Sequence, residues 1–244
     1  MRLTRCFVDT ALTVGRSLAL PEAAANHLRV MRTREGEDCV LFNGDGRDYA
    51  ARLSLVSKRE VTAELLSSRV VDNESPLHIT LLQGIARGEK MDLILQKATE
   101  LGVAAVVPVD AERTEVKLDG DRLAKRMTHW RSVIIAGCEQ SGRAIVPALA
   151  QAGPLLAAAQ ATDSEALRVI LDPQGELSLA TMPAPAASKV VIAIGPEGGW
   201  SPRDREALRA SGFVGLQLGP RILRTETAGL AAIAALQARF GDLG

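Results

Sequence analysis

Alternation of apolar and polar positions marks residues 1 to about 72, whereas apolar runs alternating with helically spaced stretches mark the rest. In the first part, "DCVLF" (38–42) and "DYAARLSLV" (48–56) flank the turn-rich "NGDGR", the pattern of a hairpin. "EVTAELLSSRVV" (60–71) reads as another strand. One short helix, "PEAAANHLRVMR", interrupts the set, with Pro21 at a first-turn position. These elements predict a small, mostly β domain over residues 1–72. The polar, proline-ended "DNESP" (72–76) reads as a linker, so a second domain is expected over 73–244.

From Leu77 the period changes. "LHITLLQGIA" (77–86), "VAAVVPV" (103–109), "LRVILD" (167–172), "KVVIAIG" (189–195) and "FVGLQLG" (213–219) are strand candidates. Between them lie helix candidates: "KMDLILQKATELG" (90–102), ended by Gly102, and a long one over 121–140. The long helix places Leu123, Met127, Trp130 and Ile134 on one face. "SPRDREALRASG" carries its own punctuation, with Ser201 as N-cap, Pro202 next, Asp204 at the third position and Gly212 as the stop. A final helix is expected over 227–240, and "PAPAAS" near Pro183 is a loop. Such alternation predicts an α/β domain with a mostly parallel sheet.

Composition narrows the class. With 47% hydrophobic and 24% charged residues in 244, the chain can bury a real core, which excludes disorder. No apolar run is long enough to span a membrane, and no targeting segment is expected. Cys6, Cys39 and Cys138 are odd in number and far apart, which argues against disulfides or a zinc site and fits a cytoplasmic protein. A net charge of zero weakens an extended nucleic-acid-binding reading, although a local basic patch remains open.

The chemistry gathers at two breaks in the chain. "VVIAIGPEGGWSPRDREAL" (190–208) joins a strand to a helix through Gly195, Gly198 and Gly199, with Glu197 in the break. Ligands of open α/β sheets bind at the carboxyl ends of strands. Glycines there admit close backbone approach. The loop lacks the dinucleotide fingerprint and the phosphate-loop lysine. Its carboxylate repels phosphate but accepts from a ribose hydroxyl or attracts a cation; the plainer alternative is a tight turn with a solvated Glu197. "LGPRILRTETAGLAAIAAL" (218–236) repeats the device, with Arg221, Arg224 and Glu226 before an almost wholly apolar helix. That helix is by itself a buried core element or a dimer face.

These paired stretches resemble the signature of the RsmE family. Its members are S-adenosylmethionine-dependent uracil-N3 methyltransferases of small-subunit (16S) ribosomal RNA, within the SPOUT trefoil-knot superfamily. "NHLRVMR" (26–32), "RGEKMDLILQKATELGV" (87–103), "ERTEVKLD" (112–119) and "CEQSGRAIVP" (138–147) match in the same order, so the resemblance covers nearly the whole chain. Trp200 is a minor variation, and matching is weakest over 148–188. The resemblance implies a PUA-like N-terminal β-barrel that contacts RNA, a knotted C-terminal methyltransferase domain, and a homodimer whose sites borrow from the partner. It places S-adenosylmethionine among the knot loops, here Leu171, Ile194, Gly195, Glu197, Gly198, Leu218, Gly219, Ile222 and Leu223. No metal is implied.

Uracil N3 carries a proton and is a poor nucleophile at neutral pH. An arginine beside a carbonyl oxygen stabilises the developing anion, and a carboxylate within reach takes the proton. Arg224 and Glu226 are the catalytic candidates; the plainer alternatives are a phosphate contact for Arg224 and a helix cap for Glu226. For RNA, residues 1–35 hold six arginines (2, 5, 16, 29, 32 and 34), and Arg5, His27, Arg29 and Arg32 are the candidate contacts. Arg122, Lys125, Arg126 and His129 share a second helix face, more simply read as solvated. With 3% aromatics, extensive base stacking is not expected, which favours flipping out one base. The assembled small subunit is the expected partner, with no DNA or membrane. Rival readings are a relative acting on another nucleotide and a non-catalytic assembly factor.

Overall fold

The computed structural model describes residues 3–116 and 118–244. Arg2, one of the six N-terminal arginines, lies outside them, as does Lys117 of "ERTEVKLD". Backbone contacts divide the chain into two compact units. One runs up to Glu74 and also takes in Cys138–Val146; the other is Ser75–Gly137 with Pro147–Gly244.

The first unit contains β1 (Arg5–Phe7), β2 (Ser17–Ala19), α1 (Glu22–Val30), β3 (Asp38–Phe42), β4 (Arg47–Val56) and β5 (Val61–Val70). The strands form one sheet in the order β1-β3-β4-β5-β2, with β1 parallel to β3 and the other pairs antiparallel. The two-residue period is obeyed: Ala51 and Leu53 of β4 and Val61, Ala63 and Leu65 of β5 all point into the core. The β3–β4 turn works through its side chains. Asn43 Oδ1 accepts from the Asp45 N–H, Asp45 Oδ1 accepts from the Arg47 N–H, and Gly44 and Gly46 take positive φ. Pro21 occupies the N-cap of α1, one position before the expected first turn.

The segment 138–146 is bound into this unit by charge. Arg143 pairs with Glu74 through two nitrogens, and the Arg143 carbonyl accepts from Arg5 Nη2 at 3.1 Å. Glu139 accepts from the Phe7 N–H at 3.0 Å and faces His27 Nδ1 at 3.2 Å. Burial raises the Glu139 carboxyl above its ordinary range, against the Phe7 N–H, His27 and Arg5. Cys6, Cys39 and Cys138 are free and buried, and burial raises all three thiols.

The second unit contains β6 (His78–Gly84), α2 (Glu89–Glu100), β7 (Ala105–Asp110), α3 (Gly120–Ser141, whose last turn belongs to the first unit), β8 (Ala148–Leu149), β9 (Gly153–Pro154), α4 (Leu155–Gln160), β10 (Leu167–Leu171), β11 (Leu177–Ser178), β12 (Lys189–Ile194), α5 (Pro202–Ala210), β13 (Val214–Gln217) and α6 (Thr225–Phe240). The sheet runs β11-β13-β10-β12-β6-β7-β8, with β9 also on β7, and every pair is parallel. Central β12 is buried from Val190 to Ile194, as a strand covered on both faces requires.

Local signals end the helices. Ser201 and Asp204 form a reciprocal capping box, with Pro202 opening α5. Gly102 and Gly212 take positive φ after α2 and α5, and the next N–H reaches back to Ala98 O and Leu208 O respectively. Among the described residues, no helix is long and apolar enough to cross a membrane.

Candidate active site

Four neighbouring parallel strands, β13, β10, β12 and β6, deliver their following loops to one edge of the sheet. A cavity of about 540 Å³ opens there, within the volume range of small-molecule sites. Leu171, Ile194, Gly195, Glu197, Gly198, Leu218, Gly219, Ile222 and Leu223 all line it, as do Arg224 and Glu226. Among the lining residues without a role assigned from sequence are Lys90, Asp172, Trp200, Arg205 and Thr225. A larger cavity, about 670 Å³, lies at the opposite ends of β6 and β12 beside α4, and its walls are mostly alanine and valine.

The loop after β12 is held on several sides. Glu197 Oε1 accepts from the Arg87 N–H at 3.0 Å and from Lys90 Nζ at 3.2 Å. Burial pushes this carboxyl up, but those donors outweigh it and leave Glu197 below the ordinary glutamate range. The carboxylate in the break therefore ties two loops together. Arg113 Nη1 donates to the Gly198 carbonyl at 3.1 Å. A Cβ on Gly198 would lie 2.9 Å from that of Arg113, so only glycine fits without displacement.

Beneath the loop is a buried relay. Gln83 Nε2 donates to Thr225 Oγ1 at 3.0 Å, and Thr225 Oγ1 donates to the Gly195 carbonyl at 2.6 Å. The end of β6, the start of α6 and the glycine loop are thus joined through one hydroxyl. Gly84 is required here too, because a Cβ would fall 2.5 Å from Pro196 N. On the other wall, Asp172 Oδ2 accepts from Arg205 Nε at 2.9 Å and Oδ1 accepts from the Gln174 N–H.

The loop after β13 is open by comparison. Ile222 is 85% exposed although it lines the cavity. Among the described residues, the side chains of Arg221 and Arg224 have no hydrogen-bond or ion-pair partner. Arg224 is the N-cap of α6 without a side-chain cap bond, and Glu226 follows in the first turn. Two polar atoms of lining residues are buried and unpartnered: Trp200 Nε1 and Glu226 Oε2. Buried polar atoms are nearly always satisfied. A polar ligand in this cavity suits a donor and an acceptor left open there.

The chain matches the RNA methyltransferase domain family over residues 73–237 and the RNA methyltransferase PUA domain family over 20–66. The ribosomal RNA small subunit methyltransferase E of Buchnera aphidicola (Schizaphis graminum strain) is 30% identical over 99% of this chain and 98% of its own length. This chain belongs to the ribosomal RNA small subunit methyltransferase E family. The methyltransferase E of Bacillus subtilis is 33% identical over 86% of this chain and 84% of its own. The crystal structure of methyltransferase E from Neisseria gonorrhoeae, bound to S-adenosyl methionine, is 42% identical, covers 100% of both chains and superimposes with a TM-score of 0.96. The mixed α/β architecture is therefore that of a methyltransferase E, with a PUA domain at its N-terminus.

The candidate RNA residues lie in the first unit and are not alike. Arg5 is buried: its guanidinium pairs with buried Asp48 and lies 4.8 Å over the Phe42 ring. So enclosed, it presents nothing to a phosphate, and the expectation for Arg5 is replaced by a place in the core. His27 is half-buried against Glu139. Arg29 bonds along its own surroundings, to Glu22, Asn26 and the Ser57 carbonyl. Arg32 is exposed, beside exposed Val30 and Met31, and takes φ of +58° at the end of α1. The Thr33 N–H closes the turn onto Leu28 O, so Arg32 occupies the position where glycine is usual.

Proposed function

We propose that this protein transfers a methyl group from S-adenosylmethionine to N3 of a uridine in 16S ribosomal RNA of the small subunit. The cavity between two glycine loops carries this reading, with its unpartnered Trp200 Nε1 and Glu226 Oε2. Its lining fits the cofactor's mixed character. Leu171, Leu218, Ile222 and Leu223 offer apolar surface for a purine, and the glycine loops offer backbone groups for its edge. Trp200 Nε1 and the N-terminus of α6 suit the carboxylate of an amino-acid end. S-adenosylmethionine supplies an activated methyl group on a sulfonium.

The chain's residues prepare the acceptor. Arg224, exposed and unpartnered, lies beside a uracil carbonyl oxygen and stabilises negative charge as it develops. Glu226 Oε2 accepts the N3 proton. Arg29 and Arg32 contact RNA phosphate, with His27 beside them; Arg32 with its exposed apolar neighbours is the strongest of these. The trefoil knot, the homodimer and a cytoplasmic location belong to the same reading through the family.

The test is nucleoside mass spectrometry after incubating the protein and S-adenosylmethionine with unmodified small subunits, and with bare ribosomal RNA. N3-methyluridine in the subunit sample is the expected product. Another methylated nucleoside rejects the target base but keeps the reaction class. No methylation together with no cofactor binding leaves a non-catalytic RNA-binding factor.

A further inference from the structure

The exposed face of α3 carries four basic side chains. Arg122, Lys125, Arg126 and His129 recur at helical spacing and are all exposed. The opposing side of the helix is anchored by buried Trp130 and Ile134. Among the described residues, Arg122, Lys125 and Arg126 have no hydrogen-bond or ion-pair partner for their side chains. Some other surface cations of this unit are paired, as in Lys189 with Asp163 and Arg209 with Glu176. Three adjacent unpaired cations on a chain of zero net charge form a local concentration of positive potential.

Both ends of this row are tied to the candidate active site. At one end, His129 Nε2 meets Asp92 Oδ2 at 2.9 Å, and Asp92 stands two residues after Lys90, which lines the cavity. At the other, the loop entering α3 carries Arg113 on the Gly198 carbonyl and Glu115 on Arg87. His129 lies seven positions after Arg122. That is about 10 Å of helix, long enough to meet a short run of backbone phosphates.

We infer that this face of α3 is a phosphate track on the methyltransferase unit, which grips the RNA strand flanking the target nucleotide. The inference rests on the RNA-modifying reading above. Its occupant is the sugar–phosphate backbone, because unpaired cations whose one aromatic neighbour on the helix, Trp130, is buried read charge and not base identity. His129, already engaged with Asp92, closes one end of the track.

The test compares the full-length protein with a triple variant, Arg122→Gln, Lys125→Gln, Arg126→Gln. Glutamine keeps the helix propensity and removes the charge. RNA affinity is measured by filter binding across a salt series, with wild-type methyl transfer followed in parallel. The variant is expected to bind RNA roughly tenfold more weakly at low salt. Its log–log salt slope is expected to shrink by about two, since each phosphate no longer neutralised accounts for about 0.7 to 0.9. Calorimetric affinity for S-adenosylmethionine is expected to stay the same. An unchanged RNA affinity and slope overturns the track, whether or not the wild type methylates. Failure of wild-type methylation with the slope effect intact removes the catalytic reading and keeps the track. A variant with normal RNA binding but altered sedimentation assigns the face to contact between copies and overturns it too.

Discussion

The loops after β12 and β13 begin almost alike, as Ile-Gly-Pro and Leu-Gly-Pro, yet they meet different surroundings. The first is clasped by Glu197 on Arg87 and Lys90, by Arg113 on the Gly198 carbonyl, and by Thr225 on the Gly195 carbonyl. The second leaves Arg221 and Arg224 free among the described residues and Ile222 exposed. A clasped loop is built before the ligand arrives, so it loses little entropy on binding. An open one keeps its groups for the ligand and the acceptor. On the proposed reading, one wall of the cofactor cavity is finished before binding, and the catalytic candidates stand on the unfinished one.

Breaking the open side is expected to have the largest effect. Arg224→Ala should lower turnover by about 10²–10³, the usual scale for losing one charge-stabilising donor. Cofactor affinity by calorimetry should stay within about twofold. Equal losses in both would move Arg224 from the acceptor to the cofactor.

Breaking the clasp should act on stability and affinity together. Gly84→Ala puts a methyl group 2.5 Å from Pro196 N, where backbone must shift. A loss of about 1–3 kcal/mol in denaturant unfolding is expected, with weakened cofactor binding. Thr225→Val preserves shape but leaves the Gly195 carbonyl and the Gln83 amide without their shared hydroxyl. It should cost about 1–3 kcal/mol, and unchanged stability would remove the relay from the account.

The clasp also has a pH signature. The folded Glu197 carboxyl lies below its ordinary value near 4.5. Its contribution is thus present above that value and fades as pH falls through the lowered folded one. Cofactor affinity should be insensitive to Glu197→Gln only at the acid end of a titration, where the native carboxyl is already protonated.

The smallest effect separates the two units. Arg32→Gly relieves a non-glycine residue at φ of +58° and should raise stability by up to about 1 kcal/mol. RNA affinity should fall several-fold. A variant that is both more stable and equally good at binding RNA would remove Arg32 from the RNA surface.

Features written in adjacent residues were legible from the chain. Ser201, Pro202 and Asp204 announce α5 because their cap bonds are local, and Gly102 and Gly212 mark the ends of α2 and α5. The two glycine loops were legible because glycines fall where strands end, whereas Leu171, Ile222 and Leu223 were expected at the cofactor site through the family resemblance. Side chains that act across the fold were not. The final helix opens at Thr225 and not at 227, and Thr225 is explained only by Gln83 and Gly195, 142 and 30 residues away. Three-residue β1 and β2 are strands only because β3 and β5 lie beside them. Residues 138–146 pack with the first unit through Arg143 and Glu74, a pairing no periodicity reveals. In sequence Arg5 is one more N-terminal arginine, and only the fold sets Asp48 against it in the core.

Amide hydrogen exchange with and without S-adenosylmethionine tests the contrast between the two loops most directly. The account predicts strong new protection across Leu218–Arg224, where the loop is open, and a smaller gain across Gly195–Gly199, whose bonds already exist. Protection confined to the alanine-walled cavity beside α4, or absent from both loops, would contradict it.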